Sequence, residues 1–306
     1  MQIDQLLDGL SSLENFSKKN RIQRFILTPV KTFLAFIYNR FLYKYLKIPL
    51  IISAKTFFGD KMYVNIPSGT DIYLFGARSH ESEMRLTKFF IKNLKNKKIF
   101  LDVGAHVGFY TLLASRLMGD MGRIFAFEAS PQTFNFLRRN TESKKNVFII
   151  NNAVSEKEGQ MTFFEFDLYY CESNTLDPDI FKKQDWAKTA VPREIKIDTI
   201  SMDYFCTDNA ISPDIMKIDV EGAELSVIKG SMKMIENNHP MIIMEYLNDK
   251  CVESKQYREA MDLILSLGYS LYLINNNGDL IASSDPCFIS DKTGEASDNL
   301  VFVYEK

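Results

Sequence analysis

From Lys98 onward the chain reads as an α/β fold, a mostly parallel seven-stranded sheet with helices on both faces. Three observations predict it. Short apolar runs alternate with amphipathic stretches in the order strand, helix, strand, helix, the pattern of a parallel sheet covered by helices. One strand runs straight into a glycine turn that opens a helix, Phe100-Leu-Asp-Val-Gly-Ala-His-Val-Gly108. An acid, Glu128, ends the following strand about twenty residues later, the spacing of nucleotide-binding sheets. With 306 residues, 46% of them apolar, the chain has ample material for a core, in one large domain or two modest ones.

The elements follow in order. The first twenty or so residues alternate apolar and polar types, without the apolar centre or cleavage site of a secretory signal. Phe25 to Ser53 is rich in Phe and Tyr, carries Lys31, Arg40, Lys44 and Lys47, and has no acid between Arg21 and Phe58. These charges leave no run approaching the roughly 18–20 apolar residues of a spanning helix. Such a stretch can lie in a lipid headgroup layer; the preferred expectation is a pair of helices packed on the domain or on a second subunit. Lys55 to Phe75, broken at Gly59-Asp60 and Pro67-Ser-Gly69, predicts two or three short strands, and Glu81–Leu94 a helix.

Strands are then expected at Lys98–Val103, Ile124–Glu128, Val147–Asn152, Ile215–Asp219, Met241–Tyr246, Tyr269–Ile274 and Leu300–Tyr304. Helices are expected at Phe109–Met118, Pro131–Ser143, Ala223–Ile235 and Tyr257–Leu267. Gln160–Ser201 reads as an insertion with strand-like ends and a polar middle. The organisation expected is a helical, aromatic and basic extension over 1–53, a short β region over 54–80 and the main domain over 81–306.

Composition excludes some functions. With 37 Lys+Arg against 39 Asp+Glu the net charge is −2, which argues against a nucleic-acid partner. Cys171, Cys206, Cys251 and Cys287 stand far apart with no CxxC or CxxH spacing, so they read as free thiols in a reducing cytoplasm.

The glycine turn discriminates between ligands. A dinucleotide site wants Gly-x-Gly-x-x-Gly, so that backbone can approach a pyrophosphate. Here His106 stands where the second glycine would be. Asp102 would oppose a phosphate but could face a sulfonium, so S-adenosylmethionine suits the turn better than NAD, with Glu128 accepting the ribose hydroxyls. An NAD(P)-linked oxidoreductase is therefore the weaker alternative; a third is a non-catalytic protein of the same fold.

The second informative string is Met216-Lys-Ile-Asp-Val-Glu-Gly-Ala-Glu-Leu225. Acids at a helix N-terminus complement its dipole, which explains Glu224. It does not explain Lys217 and Asp219 inside an apolar strand. Asp219 and Glu221 could hold a substrate hydroxyl or remove its proton.

These strings together resemble the FkbM family of S-adenosylmethionine-dependent methyltransferases. The resemblance rests on Leu101–Thr111, Ala126–Pro131, Leu137–Asn140, Asn152–Val154, Glu158-Gly159, Ile197–Ile200, Lys217–Glu224, Ile228–Gly230 and Pro240–Glu245. His80-Glu81-Ser-Glu83 is similar to the acidic motif upstream of the family's first Rossmann strand. One departure is Glu128-Ala-Ser-Pro131, where the family usually has Glu-Pro; the Glu is kept.

The resemblance implies a class I, Rossmann-like methyltransferase acting on a hydroxyl of a sugar, glycan or related metabolite. By position it puts Glu81, Asp102, Gly104, Ala105, His106, Gly108, Tyr110, Thr111, Glu128, Ala129, Asn152 and Ala153 at the cofactor. Asp219 and Glu221 fall at the methyl-transfer centre, with Glu81 or His106 as second choices for the base. Asn174, in the insertion, and Lys217 are assigned to the substrate. Carboxylates in a cleft can bind Mg²⁺, but no His-plus-acid set at ligand spacing demands a metal, and none is assigned. Trp186 and Tyr169-Tyr170 could stack on a sugar ring, although packing is the commoner role of such residues.

Overall fold

A computed structural model describes residues 3–20, 23, 25–26, 28–46, 48–247, 255–286 and 297–305. Cys251, Cys287, Arg21 and Lys47 lie outside these residues.

The N-terminal part is helical, with α1 at Ile3–Ser17, α2 at Pro29–Ile37, a π-helical turn at Tyr38–Leu42 and α3 at Tyr43–Leu46. A hairpin follows, β1 (Leu50–Lys55) pairing antiparallel with β2 (Lys61–Ile66). It starts before Lys55, because Leu50 to Ser53 have an apolar neighbour strand to pair with. Of the two or three short strands expected here two form, and the stretch up to Phe75 is a helix, α4 (Thr70–Phe75), ended by Gly76 in the left-handed region at φ 73°. Asn140 ties the hairpin to the domain: its Oδ1 accepts from Tyr63 N (2.7 Å), and its Nδ2 donates to the carbonyls of Tyr63 and Val107.

The main sheet is built from α5 (Glu81–Asn93), β3 (Ile99–Val103), α6 (Phe109–Met118), β4 (Arg123–Phe127), α7 (Pro131–Thr141) and β5 (Val147–Ile150). Ser130 caps α7 by accepting from Thr133 N, and Pro131 sits at its first position, where no donor is missed. Strand β6 (Ala153–Val154), just ahead of the insertion, joins β7 (Gly159–Glu165) and β8 (Arg193–Ile200) at the insertion's two ends in a separate three-stranded sheet. The chain returns through α8 (Met202–Asp208), β9 (Ile215–Ile218), α9 (Glu224–Lys229), α10 (Met232–Asn238), β10 (Met241–Leu247), α11 (Lys255–Ser266), β11 (Tyr269–Ile274), β12 (Leu280–Ala282) and β13 (Ser297–Tyr304).

The sheet order is β12-β11-β13-β10-β9-β3-β4-β5, eight strands rather than the seven expected; the addition is the three-residue edge strand β12. Strands β5, β4, β3, β9 and β10 are parallel, and β13, β11 and β12 are antiparallel. Strand alternation feeds two cores. Phe100, Ile124, Ile215 and Ile243 face α5 and α6, while Leu101, Phe125, Met216 and Ile242 face α8 to α11. The single helix expected over Ala223–Ile235 is two, because at Gly230 the backbone passes so close to Ser155 that a Cβ would lie 2.0 Å from its carbonyl oxygen. His239, left-handed at φ 47°, ends α10 just before Pro240.

The order of connection matters for function. From β3 the chain runs outward through β4 and β5, then returns to β9 on the other side of β3. Open α/β sheets bind ligands where the order reverses, beyond the carboxyl ends of the strands.

Candidate active site

At that reversal lies a cavity of about 550 Å³. Its floor is the ends of β3, β4, β9 and β10; Cys171, Glu172 and Asn174 of the insertion and the segment from Ser68 to His80 close it over. Val103 O accepts from Asp219 N at 3.1 Å, so the turn after β3 and the loop after β9 are held edge to edge. Gly104, φ 79°, is required there, since a Cβ would come within 1.7 Å of the Asp219 carbonyl oxygen.

One group of wall residues surrounds a carboxylate. Gly104 N and Ala105 N donate to Phe127 O, which brings the turn against the end of β4. There Glu128 Oε1 accepts from Ser130 N and Oε2 from His106 N, both at 2.9 Å. Burial raises the Glu128 carboxyl to about 7, against the pull of those two backbone donors and with the charges of Asp219 and Asp102 adding to the rise. Ala129, Asn152 and Ala153 line the wall beside it. His106 is left-handed at φ 51°, and its Nε2 is 3.2 Å from Cys171 Sγ. Burial lowers the imidazole to about 4 and raises the Cys171 thiol to about 12, so at neutral pH both are uncharged.

The second group is acidic. Lys217, 2% exposed, donates to Asp219 Oδ2 at 2.9 Å and stands 3.9 Å from Asp102 Oδ1. Burial alone would push the Asp219 carboxyl up; the Lys217 ammonium overrides it and holds Asp219 below the usual carboxylate range. Burial and the negative charge of Asp219 drive Glu221 and Glu245 well above theirs. Each of Asp219, Glu221 and Glu245 offers an oxygen within 4.8 Å of the others. Such a set can share protons, hold a hydroxyl, or supply the oxygen donors that hard divalent cations prefer. Tyr110 Oη donates to Glu83 Oε2 at 2.7 Å, and Arg78 is matched by Asp71, Glu83 and Glu172.

The structure therefore brings Gly104, Ala105, His106, Tyr110, Glu128, Ala129, Asn152, Ala153, Asn174, Lys217, Asp219 and Glu221 into one cavity wall. Four expected residues do not line it. Glu81 opens the first turn of α5 with its side chain 53% exposed, and Glu83, two positions on and so across the helix, takes the inward place. Asp102 and Thr111 are buried behind the wall and bond to each other at 2.6 Å; their part is to support Lys217. Gly108 serves packing, since a Cβ there would meet Leu137 Cδ1 at 2.8 Å.

Lys217 reaches the wall but is committed to Asp219. Asn174 fixes the insertion by accepting from Phe166 N, and its buried Nδ2 has no hydrogen-bond partner among the described residues, which leaves a donor for a ligand. Trp186 packs on Phe166, Phe181 and, stacked at 4.8 Å, Tyr170, so the aromatics serve the insertion's own core. Glu224 is structural, accepting from Val220 N and Gly222 N.

Sequence reasoning misses Glu83, Glu245, Arg78 and the partnership of His106 with Cys171. Glu83 and Glu245 sit within strings already singled out. For Glu245, its place at the carboxyl end of a central parallel strand was the available signal.

Residues 102–271 match the family description Methyltransferase FkbM domain. The chain is 23% identical over 172 residues to the hexuronic acid methyltransferase AglP of Haloferax volcanii, across 56% of this chain and 65% of that protein. It is 24% identical over 183 residues to Methyltransferase 1 of Beauveria bassiana, across 56% of this chain and 72% of that protein. The crystal structure of methyltransferase FkbM from Methylobacillus flagellatus aligns with 77% of this chain and 52% of its own, at 15% identity and a TM-score of 0.45. The chain thus spans just under two thirds of AglP and about half of that crystallised chain.

Proposed function

This chain belongs to the FkbM methyltransferase family, and we propose that it methylates a hydroxyl oxygen of a sugar or glycan. Its cofactor is S-adenosylmethionine, which when bound supplies an electrophilic methyl group on a sulfonium sulfur. The residues fit it. Each Glu128 oxygen accepts one backbone N–H and keeps a lone pair, the arrangement a vicinal diol needs. Ala129, Asn152 and Ala153 leave room beside that diol site for a flat base.

The charge of the wall supports the same reading. Seven acidic side chains, Asp71, Glu83, Glu128, Glu172, Asp219, Glu221 and Glu245, line the wall with two cations, Arg78 and Lys217, and both cations are matched by acids. With both cations already paired to acids, such a wall suits a sulfonium better than a pyrophosphate, which counts against the NAD-linked alternative. The name of the Haloferax relative lends support to a sugar.

In this reading Asp219, kept ionised by Lys217 at Oδ2, receives the acceptor hydroxyl and orients it. Glu221 takes the proton through a carboxylate oxygen as the oxygen attacks in line, with Glu245 sharing the charge. The carrying observation is one cavity that holds both the diol-ready Glu128 and the Asp219–Glu221–Glu245 carboxylates. The test is incubation with S-adenosylmethionine and a panel of neutral and acidic sugars and oligosaccharides. Gain of one methyl ether is expected; transfer to a carboxylate oxygen, nitrogen or carbon instead would overturn the assignment.

Cofactor affinity should depend on pH with a definite sign. The diol donates to ionised Glu128, whose carboxyl titrates at about 7 in the free protein. Affinity is therefore full above that pH and falls about tenfold per unit below it. Calorimetric titration from about pH 8 to about pH 5.5 checks this. Glu128→Gln should flatten the profile.

A further inference from the structure

The helical N-terminal part has two faces. Its inner face is packed: Ala35, Tyr38 and Tyr43 are buried, Tyr43 stacks on Tyr169 at 5.2 Å, and Tyr38 Oη donates to Ile48 O. The outer face is apolar where a surface helix is ordinarily polar. Of the eighteen large apolar or aromatic side chains exposed among the described residues, eleven fall between Phe25 and Ile51. They include Val30 (70%), Phe33 (54%), Phe36 (53%), Phe41 (49%), Tyr45 (75%) and Ile48 (63%). Scattered apolar residues on a surface need no explanation, but a concentration of this kind marks a contact.

Charge says what kind of contact. From Arg21 to Phe58 there are seven basic residues and no acid, so this segment carries +7 in a chain whose total is −2. Arg40 lies exposed among the aromatics. No helix of the described residues is long and apolar enough to cross a membrane. A symmetric pairing of two copies through this face would bring together two segments that each carry four basic residues and no acid between Phe25 and Ile51, a juxtaposition that opposes association. An anionic headgroup layer over an acyl interior complements both properties at once.

We propose that the described residues between Phe25 and Ile51 form a membrane-surface anchor that lies in the headgroup layer of an anionic bilayer. Phe33, Phe36 and Phe41 enter the acyl boundary, and Arg40, exposed among them, meets the lipid phosphates. The anchor is coupled to the cavity by a short path. Lys31 Nζ donates to Tyr73 O of α4, whose Asp71 and Ile72 line the cavity wall. Acceptors at the membrane surface would be met by a cavity held beside that surface. The proposal does not depend on the methyl-transfer chemistry.

The test is flotation of the full chain with vesicles of phosphatidylcholine alone and of phosphatidylcholine with phosphatidylglycerol, at low and high salt. Binding to the anionic vesicles, weakened by salt, is expected. The triple variant F33S/F36S/F41S should bind at least about tenfold less. Arg40→Glu should weaken binding severalfold. These side chains are exposed, so an unchanged melting temperature will separate lost binding from lost fold. Absence of binding to anionic vesicles, or equal binding to neutral ones, would overturn the proposal. So would self-association that the triple variant abolishes, because the face would then belong to a second copy.

Discussion

Lys217→Met is expected to destabilise the protein by about 3–5 kcal/mol, because it leaves Asp219 and Asp102 without their shared cation. Burial already raises the Asp102 carboxyl, and Thr111 donates to one of its oxygens. The other oxygen, Oδ1, has Lys217 as its charge partner at 3.9 Å. Without the ammonium the native state must keep two carboxylates about one sheet position apart in a dry wall, or take up a proton. For a chain of this size the cost corresponds to a melting temperature lower by roughly 5–8 °C. Adding Asp102→Asn should recover part of that loss, since it removes one of the two orphaned charges. A variant that melts with wild type would show that Lys217 is not the counter-ion this arrangement requires.

Glu221→Gln is expected to lower kcat by about 10²- to 10⁴-fold, the usual contribution of a positioned base. The cofactor dissociation constant should change by no more than a few fold, because the substitution leaves the glycine turn and Glu128 untouched. The pH profile adds a readout that a packing role would not move. Burial and the charge of Asp219 raise the Glu221 carboxyl well above the ordinary range. The base works only when ionised, so kcat should rise with pH along a limb displaced upward from that of an unperturbed glutamate. Glu221→Gln should abolish that limb together with the rate. An undiminished kcat would take the base away from Glu221.

The parts of this molecule that depend on nearest neighbours were legible in the sequence. The limits of Phe109–Met118 and Tyr269–Ile274 coincide with those expected, because each is set by local glycine signals and apolar periodicity. The β3 turn was legible because Gly104 is required by a backbone approach that recurs in such sheets. What escaped depends on contacts distant in the chain. Asp102 was placed at the ligand, yet its strand is buried on both faces, so alternation could not tell the cavity from the layer behind it. Glu81 and Glu83 are two residues apart on a helix whose rotation is set by its packing under β13 and β11, and only that packing selects Glu83. Glu245 meets Asp219 and Glu221 only because β10 lies beside β9. The break at Gly230 is imposed by Ser155, some seventy-five residues earlier in the chain.

The central claim is that Glu128 anchors the ribose of S-adenosylmethionine in this cavity. Calorimetric titration of wild type and Glu128→Ala with S-adenosylmethionine and with NAD⁺ tests it most directly. Two hydrogen bonds to an ionised carboxylate are worth about 1.5–3 kcal/mol each. The account therefore predicts micromolar binding of the sulfonium ligand by wild type, weakened by at least about a hundredfold in the variant, and no measurable binding of NAD⁺. Binding of NAD⁺ in place of S-adenosylmethionine, or an affinity indifferent to Glu128→Ala, would contradict it.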